Sequence, residues 1–292
     1  MQKKIVVPLL SGLAAASIWG GMYVVSKIVL NVIPPFTLLT MRLVLGFAVL
    51  WLVVMMRPAG IKKMSAGAFR RIFGTGLMGY GISLGFQFVG TKLSTAVNGA
   101  LVTSATPALV LPFACILLKE RITPRKLAAV LVASLGVVAV IDPRTADLSS
   151  SLFLGNMSLL GAAVTWALYS VLVSKNVQGQ DLLQSSAVMF LGGLPVTVPA
   201  GMWELSTQGM GTVTPGIIGG VLFLGIVATA VAMFLWNYAF ARLPASSASL
   251  TFFAQPAVGV LLGWLCLGEK ITPLFLLGGG LIAVGILIAM RR

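Results

Sequence analysis

The sequence predicts an all-α integral membrane protein with ten transmembrane helices, arranged as two inverted five-helix repeats. Three observations lead to this fold class. The mean hydropathy is +1.04 and only 9% of the residues are charged, whereas a soluble domain carries roughly 25% charge. Lys and Arg concentrate in alternate loops. A stretch of sequence also recurs after 149 residues.

Pro, Gly and charged residues divide the 292-residue chain into apolar spans, each close to the length of about 20 residues that crosses a bilayer as a helix. Helices are expected rather than a barrel because the runs do not alternate polar and apolar residues. The first span is too long for a cleaved signal peptide. The predicted spans cover residues 5–30, 35–56, 69–91, 95–118, 124–141, 152–174, 182–204, 215–240, 245–268 and 272–290.

The orientation follows from Lys and Arg, which collect on the cytoplasmic side. Four of them fall outside if the amino terminus is cytoplasmic: Lys27, Lys92, Arg144 and Lys270. Fifteen fall inside: Lys3, Lys4, Arg57, Lys62, Lys63, Arg70, Arg71, Lys119, Arg121, Arg125, Lys126, Lys175, Arg242, Arg291 and Arg292. The net charge of +14 is therefore interpreted as a topology signal rather than a nucleic-acid surface, and both termini are predicted to be cytoplasmic.

The third observation is an internal sequence repeat, which predicts that the chain consists of two related halves. Residues 118–124 and 267–273 share five identities in seven positions, so the halves 1–145 and 146–292 are predicted to be homologous. Each half holds five spans, an odd number, so the second half should run in the opposite direction through the membrane. Inverted repeats are typical of secondary transporters, although they also occur in channels.

The two halves share an ordered set of motifs that resembles the EamA-type branch of the drug/metabolite transporter superfamily. The resemblance covers essentially the whole chain. It implies an exporter of amino acids, including aromatic ones, or other metabolites in the bacterial inner membrane, with a central cavity near helices 1, 3, 4, 6, 8 and 9. The motifs are Trp19-Gly20 before Lys27, Pro35 before Arg42, Glu120-Arg121-Ile122-Thr123 after a Pro-containing span, and in the second half Trp166-Ala167, Pro256 and Glu269-Lys270-Ile271-Thr272.

Seven aromatic or neutral polar residues are predicted near the bilayer midplane on these helices, where they would suit a zwitterionic or amphipathic solute. The same residue types also pack between helices or satisfy their own backbone, so each could have a structural role. Tyr80, Trp166 and Gln255 are the strongest candidates. The full set is Trp19, Tyr80, Thr103, Thr106, Trp166, Thr229 and Gln255.

Three further residues stand out within the spans. Arg42 lies well inside the second span, where a charge is costly without partners, so it is either an anion contact or a structural clamp on backbone carbonyls. Pro107 and Pro256 occupy equivalent places in spans four and nine. Each removes a helical hydrogen bond, so these two prolines are predicted to be the hinges.

The inventory of reactive residues argues against other classes of function. The chain has no His and only two Cys, Cys115 and Cys266, both in apolar runs, so neither a metal site, a cofactor nor an enzyme is expected. No Asp or Glu lies near the middle of a span, which argues against proton coupling. The predicted function is export of a small solute, amino acids first, by alternating access. Efflux of amphipathic or cationic drugs, or a non-transporting channel-like membrane component, remains an alternative.

Overall fold

The computed structural model describes residues 3–94, 102–103, 105–141, 152–258 and 273–290, and every regular element in these ranges is helical. The helices are α1 (Lys3–Leu30), α2 (Pro35–Met56), α3 (Ala66–Leu93), α4 (Thr106–Leu118), α5 (Pro124–Ile141), α6 (Phe153–Asn176), α7 (Leu182–Thr207), α8 (Pro215–Arg242), α9 (245–258) and α10 (Pro273–Met290).

The all-helical prediction is confirmed for the described part of the chain. Six helices there, α1, α2, α3, α6, α7 and α8, are long and apolar enough to cross a membrane. α4 and residues Leu276–Ile288 of α10 are shorter apolar helices. The predicted start of the fourth span and the predicted end of the ninth span lie outside the described residues, as do Cys266 and Glu269.

Acidic side chains at helix ends cap helices, which satisfies backbone N–H groups that have no partner within the helix. Asp181 caps its own helix, α7, by accepting from the N–H of Gln184. Glu204 near the end of α7 accepts from the N–H of Thr37 in the first turn of α2, at 2.9 Å. Glu120 after α4 accepts from the N–H of Ala245 at the start of α9, at 2.6 Å.

Helix packing keeps the same pattern when α1–α5 are exchanged with α6–α10. α2 packs on α7 and α5 packs on α10, while α1 packs along α8 as α6 packs along α3. α2 and α7 are antiparallel, because Thr37 early in α2 contacts Glu204 late in α7. At the opposite ends of the two helices, Arg57 just after α2 pairs with Asp181 just before α7.

The α5–α10 contact obeys this exchange residue by residue. A Cβ on Gly136 would lie 2.7 Å from the carbonyl oxygen of Gly278, and a Cβ on Gly285 would lie 2.8 Å from the carbonyl oxygen of Ala129. Gly278 and Gly285 follow Ala129 and Gly136 by the same 149 residues that separate the sequence repeats. Gly136 therefore contacts Gly278, Gly285 contacts Ala129, and Gly278 is the repeat equivalent of Ala129.

Substituting either glycine should loosen this contact. Gly136→Ala and Gly285→Ala are each expected to lower the free energy of unfolding by about 1–3 kcal/mol, because a methyl group would overlap packed backbone atoms. Gly279→Ala is the control, since a Cβ at Gly279 would meet nothing within 4 Å. Thermal unfolding in detergent measures the effect. Equal melting temperatures for the Gly136 and Gly279 variants would contradict the close packing.

Both α3 and α8 contain a π-helical segment, Leu77–Ser83 and Phe223–Val231 respectively. These segments overlap when the repeats are aligned, and π-helical turns often mark functional sites. The two prolines also follow irregular backbone: Pro107 lies in the first turn of α4 after a turn at Ala105, and Pro256 follows a 3-10 segment at Ser249–Phe253. Pro107 removes no hydrogen bond of α4, contrary to the prediction, because N–H groups in the first turn of a helix have no partner within it. The hinge role of the two prolines stays a prediction.

Candidate functional site

A central cavity is enclosed by helices from both halves of the molecule. Its free volume of about 30 Å³ has room for roughly two water molecules, so an amino acid could enter only after the walls move apart. The lining residues are Trp19, Met22, Arg42, Ser83, Leu84, Gln87, Thr103, Thr106, Ala162, Ala163, Trp166, Met233, Phe252 and Gln255.

The structure places five of the seven predicted midplane residues on this wall: Trp19, Thr103, Thr106, Trp166 and Gln255. The other two, Tyr80 and Thr229, are fully buried behind it. Both lie in the π-helical segments, where i→i+5 hydrogen bonds replace the i→i+4 pattern assumed in counting along a straight helix.

Sequence reasoning did not assign several wall residues to the cavity. On α3 the wall is formed by Ser83, Leu84 and Gln87 instead of Tyr80. Ser83 and Gln87 are four residues apart and share one helix face, which is the signal that could have identified them. Ala162 and Ala163 of α6 also line the wall, close to the Trp166 side chain on the same helix.

Tyr80 belongs to a buried hydrogen-bond network rather than to the cavity. Its hydroxyl bonds to the Tyr169 hydroxyl and accepts from the Asn237 side-chain amide at 3.2 Å. Tyr169 donates to Asn237 Oδ1 at 2.6 Å, and the same amide donates to Ser186. The network joins α3, α6, α7 and α8 next to the cavity.

Aromatic rings form the apolar side of the cavity. The Trp19 and Trp166 rings meet edge to face with centroids 5.6 Å apart, and Trp236 and Phe252 pack on Trp19 at 5.3 Å and 6.4 Å. The Trp19 indole N–H donates to the carbonyl of Ala228 at 3.0 Å. Trp19 is therefore held in place, whereas the indole N–H of Trp166 has no hydrogen-bond partner in the part of the chain that the structure describes.

Arg42 is completely buried at the edge of the cavity. Its Nε donates to the Thr229 hydroxyl at 3.0 Å, its Nη2 lies 3.3 Å from the sulfur of Met22, and its guanidinium is 5.1 Å from the centroid of the Phe88 ring. Within the described ranges no carboxylate forms an ion pair with it. A buried charge without a counter-ion is costly.

Among the described residues, four buried polar atoms of the cavity find no hydrogen-bond partner: Arg42 Nη1, Trp166 Nε1, Thr106 Oγ1 and Gln255 Oε1. Buried polar atoms in proteins are normally paired. The set offers two donors, one acceptor and one hydroxyl that can act as either. Such a wall can bind a small solute that carries both an anionic group and a hydrogen-bond donor.

A small second cavity of about 10 Å³ shares Met22 and Gln87 with the central one and lies toward the carboxyl-terminal ends of α1 and α3, beside Ser26 and Thr91. The equivalent region between α6 and α8 is closed by hydrogen bonds. The indole N–H of Trp236 donates to Ser170 at 3.2 Å, and the Ser174 hydroxyl donates to the carbonyl of Phe240. The two sides of the cavity therefore differ although the helices around them are equivalent.

Comparison with known proteins gives a consistent result. Residues 7–141 and 153–291 each match the EamA-like transporter family. An "Uncharacterized transporter" of Archaeoglobus fulgidus is 26% identical over 268 residues, which is 91% of each chain. The "Uncharacterized transporter YyaM" of Bacillus subtilis is 27% identical over 83% of this chain and 80% of its own.

Two further similarities bear on activity and fold. A "Probable terminal-alkyne amino-acid exporter" of Streptantibioticus cattleyicolor is 25% identical over 80% of this chain and 77% of its own. A solved structure titled "Crystal structure of protein" superposes with a TM-score of 0.81 over 98% of both chains, at 21% identity. The latter likeness concerns the fold alone.

Proposed function

Because the chain belongs to the EamA-like transporter family and is a multi-pass membrane transporter rather than an enzyme, we propose that it exports amino acids, including aromatic ones, across the bacterial inner membrane. In this proposal ten membrane-spanning helices form two inverted repeats, residues 1–145 and 146–292, with both termini in the cytoplasm. The repeats move against each other in alternating access, with Pro107 and Pro256 as hinges.

The observation that carries the substrate class is Arg42 Nη1, which has no hydrogen-bond partner among the described residues, beside the other unpartnered polar atoms of the cavity. A substrate carboxylate would accept from Arg42 Nη1 and from the Trp166 indole N–H. The substrate ammonium group would donate to Gln255 Oε1. The aromatic rings then provide the surface for an apolar side chain. The similarity to an amino-acid exporter supports the same solute.

The inverted arrangement is supported by the antiparallel pair α2 and α7 and by the matched glycine contacts between α5 and α10. Alternating access is supported by the unequal sides of the cavity. The side between α1 and α3 holds the small second cavity, and the side between α6 and α8 is closed. Exchanging these two arrangements would open the cavity to the other face of the membrane.

Liposome transport tests the proposal. Purified protein is reconstituted and assayed with radiolabelled amino acids of different size and with organic cations. Saturable flux of amino acids, accelerated by amino acid on the opposite side, is expected. Transport of organic cations without any amino acid would establish the drug-efflux alternative, and flux that does not saturate would establish a channel.

Transport is expected to proceed without a proton gradient. Within the described residues no Asp or Glu lines the central cavity, and the chain has no His, so the site lacks the groups that usually exchange protons. Flux down the solute's own gradient should be the same with and without an imposed pH difference. An internal pH dye in the same liposomes should report no stoichiometric proton movement, and an observed one would refute this prediction.

Trp166→Ala should weaken binding of aromatic amino acids more than binding of serine. An indole face covers on the order of 50 Å² of an apolar side chain, worth about 1 kcal/mol or a fivefold change in affinity, whereas serine has almost no apolar side chain to cover. Gln255→Ala is the comparison, because an amide that binds the ammonium group should affect all amino acids alike. Equal losses for phenylalanine and serine in Trp166→Ala would indicate a packing role only.

A further inference from the structure

A third and larger concavity lies between the ends of α2, α7 and α8, at the end of the molecule opposite the small cavity near the ends of α1 and α3. Its volume is about 510 Å³. We call it the basal groove and define it by Arg57, Lys62, Asp181, Phe234, Tyr238 and Arg242, all of which line it. The basal groove shares no lining residue with the central cavity.

The rim of the basal groove carries an excess of positive charge. Arg57 Nη1 lies 2.8 Å from Asp181 Oδ2, and Lys62 Nζ lies 3.3 Å from the same oxygen. Partial burial alone raises the pKa of the Asp181 carboxyl, but hydrogen bonds from the Gln184 backbone, Arg57 and Lys62 outweigh it and the net shift is downward. With Asp181 ionised and three cationic side chains, two positive charges remain uncompensated.

Two of these cations are the arginines Arg57 and Arg242. Arg57 is held by Asp181 on one side, while its Nη2 is buried and has no hydrogen-bond partner within the described ranges. The guanidinium of Arg242 lies 4.8 Å from the centroid of the Tyr238 ring, and in the described part of the chain no carboxylate pairs with it. Two guanidinium groups that line one concavity suit a phosphate, which accepts several hydrogen bonds at once.

One wall of the groove is apolar. Phe234, Tyr238 and Ala241 share one partly exposed face of α8, and Leu182 and Leu183 line the opposite side at the start of α7. Phe234 is eight residues from Arg242, which corresponds to about 12 Å along the helix. A free anion would leave this wall unused, whereas a molecule with an anionic head and a hydrocarbon chain would cover it.

We propose that the basal groove binds an anionic phospholipid, with its phosphate between Arg57 and Arg242 and an acyl chain along Phe234 and Leu183. This inference rests on the proposed membrane orientation, which places the groove in the cytoplasmic leaflet. Anionic lipids and basic pockets between transmembrane helices are both found on that side of membranes. The binding requires no assumption about which solute is transported.

Native mass spectrometry of the delipidated full-length protein, titrated with phosphatidylglycerol, tests the proposal. Arg242→Gln is expected to raise the half-saturating lipid concentration about fivefold. Arg57→Lys should also raise the half-saturating lipid concentration about fivefold, although it keeps the positive charge beside Asp181. The matched control is Lys63→Gln, which removes a positive charge next to Lys62 from an exposed side chain that does not line the groove. It should leave the titration unchanged.

Two outcomes would overturn the proposal. Equal losses in Lys63→Gln and Arg242→Gln would indicate diffuse attraction to a positive surface. In a competition experiment, inorganic phosphate and a glycerophosphate ester with acyl chains are each used to displace the bound lipid. If both displace it at the same concentration, the groove is a site for free anions. Because lipid binding is measured without transport, failure here would leave the proposed transport function standing, and failure of amino-acid flux would leave the lipid site standing.

Discussion

Replacing Arg42 by Gln is expected to weaken amino-acid binding by about thirtyfold. The substitution removes the only positive charge on the described wall of the cavity, and a hydrogen bond to a charged group contributes about 1.5–3 kcal/mol. Competition against radiolabelled phenylalanine on the purified protein measures the change. The comparison is between phenylalanine and its amide, which lacks the carboxylate. Only phenylalanine should lose affinity in the variant.

The alternative, that Arg42 is a structural clamp, makes a different prediction. A clamp would act through its bond to Thr229, so its loss would affect phenylalanine and the amide equally. Thr229→Val is the matched control, because it removes the partner of Nε and leaves Nη1 free to meet a carboxylate. We expect Thr229→Val to lower the melting temperature but to preserve the preference for the carboxylate. Equal weakening of both ligands in Arg42→Gln would establish the clamp.

Asn237→Ala should open the closed side of the cavity. The Asn237 side chain bonds to Tyr169 on α6, Tyr80 on α3 and Ser186 on α7, and its loss leaves buried hydroxyls unsatisfied at about 1–3 kcal/mol each. That energy is enough to shift a two-state equilibrium roughly tenfold or more. The conformation closed between α6 and α8 should lose population to the one closed between α1 and α3.

Cysteine accessibility reports both sides at once. Ser26 and Ser174 occupy equivalent positions in α1 and α6, and each is replaced by Cys in a background that carries Cys115→Ser and Cys266→Ser. In the Asn237→Ala protein, maleimide labelling should rise at position 174 and fall at position 26. Asn176→Ala is the control, because its amide bonds to Thr75 on α3 rather than to α8. A rise at both positions would mean general loosening and would contradict alternating access.

The sequence by itself determined which stretches of the described chain are helical and where most of them end, and it predicts which residues of the two halves are equivalent. These properties follow from local chemistry. Hydropathy over about 20 residues decides a membrane span, and Pro and the capping residues mark helix ends. The repeat is visible because both halves satisfy the same packing, as the shared contacts of Gly136 and Gly285 illustrate.

The site was determined only in part. Trp19, Trp166, Thr106 and Gln255 were predicted from their depth in the spans and line the cavity. Depth along a helix can be counted from the sequence, but rotation about the helix axis depends on the turns before each residue. The π-helical segments change that rotation, so Tyr80 faces Tyr169 and Asn237 instead of the cavity.

The tertiary structure alone decided the surroundings of Arg42 and the difference between the two sides of the cavity. Arg42 meets Thr229 from the other half of the chain, a contact across 187 residues that no local pattern encodes. Because α1 and α6 are equivalent in sequence, as are α3 and α8, the sequence does not predict which side of the cavity is closed. The closed side is held by particular hydrogen bonds, such as those of Trp236 and Ser174, and these join helices that are distant in the sequence.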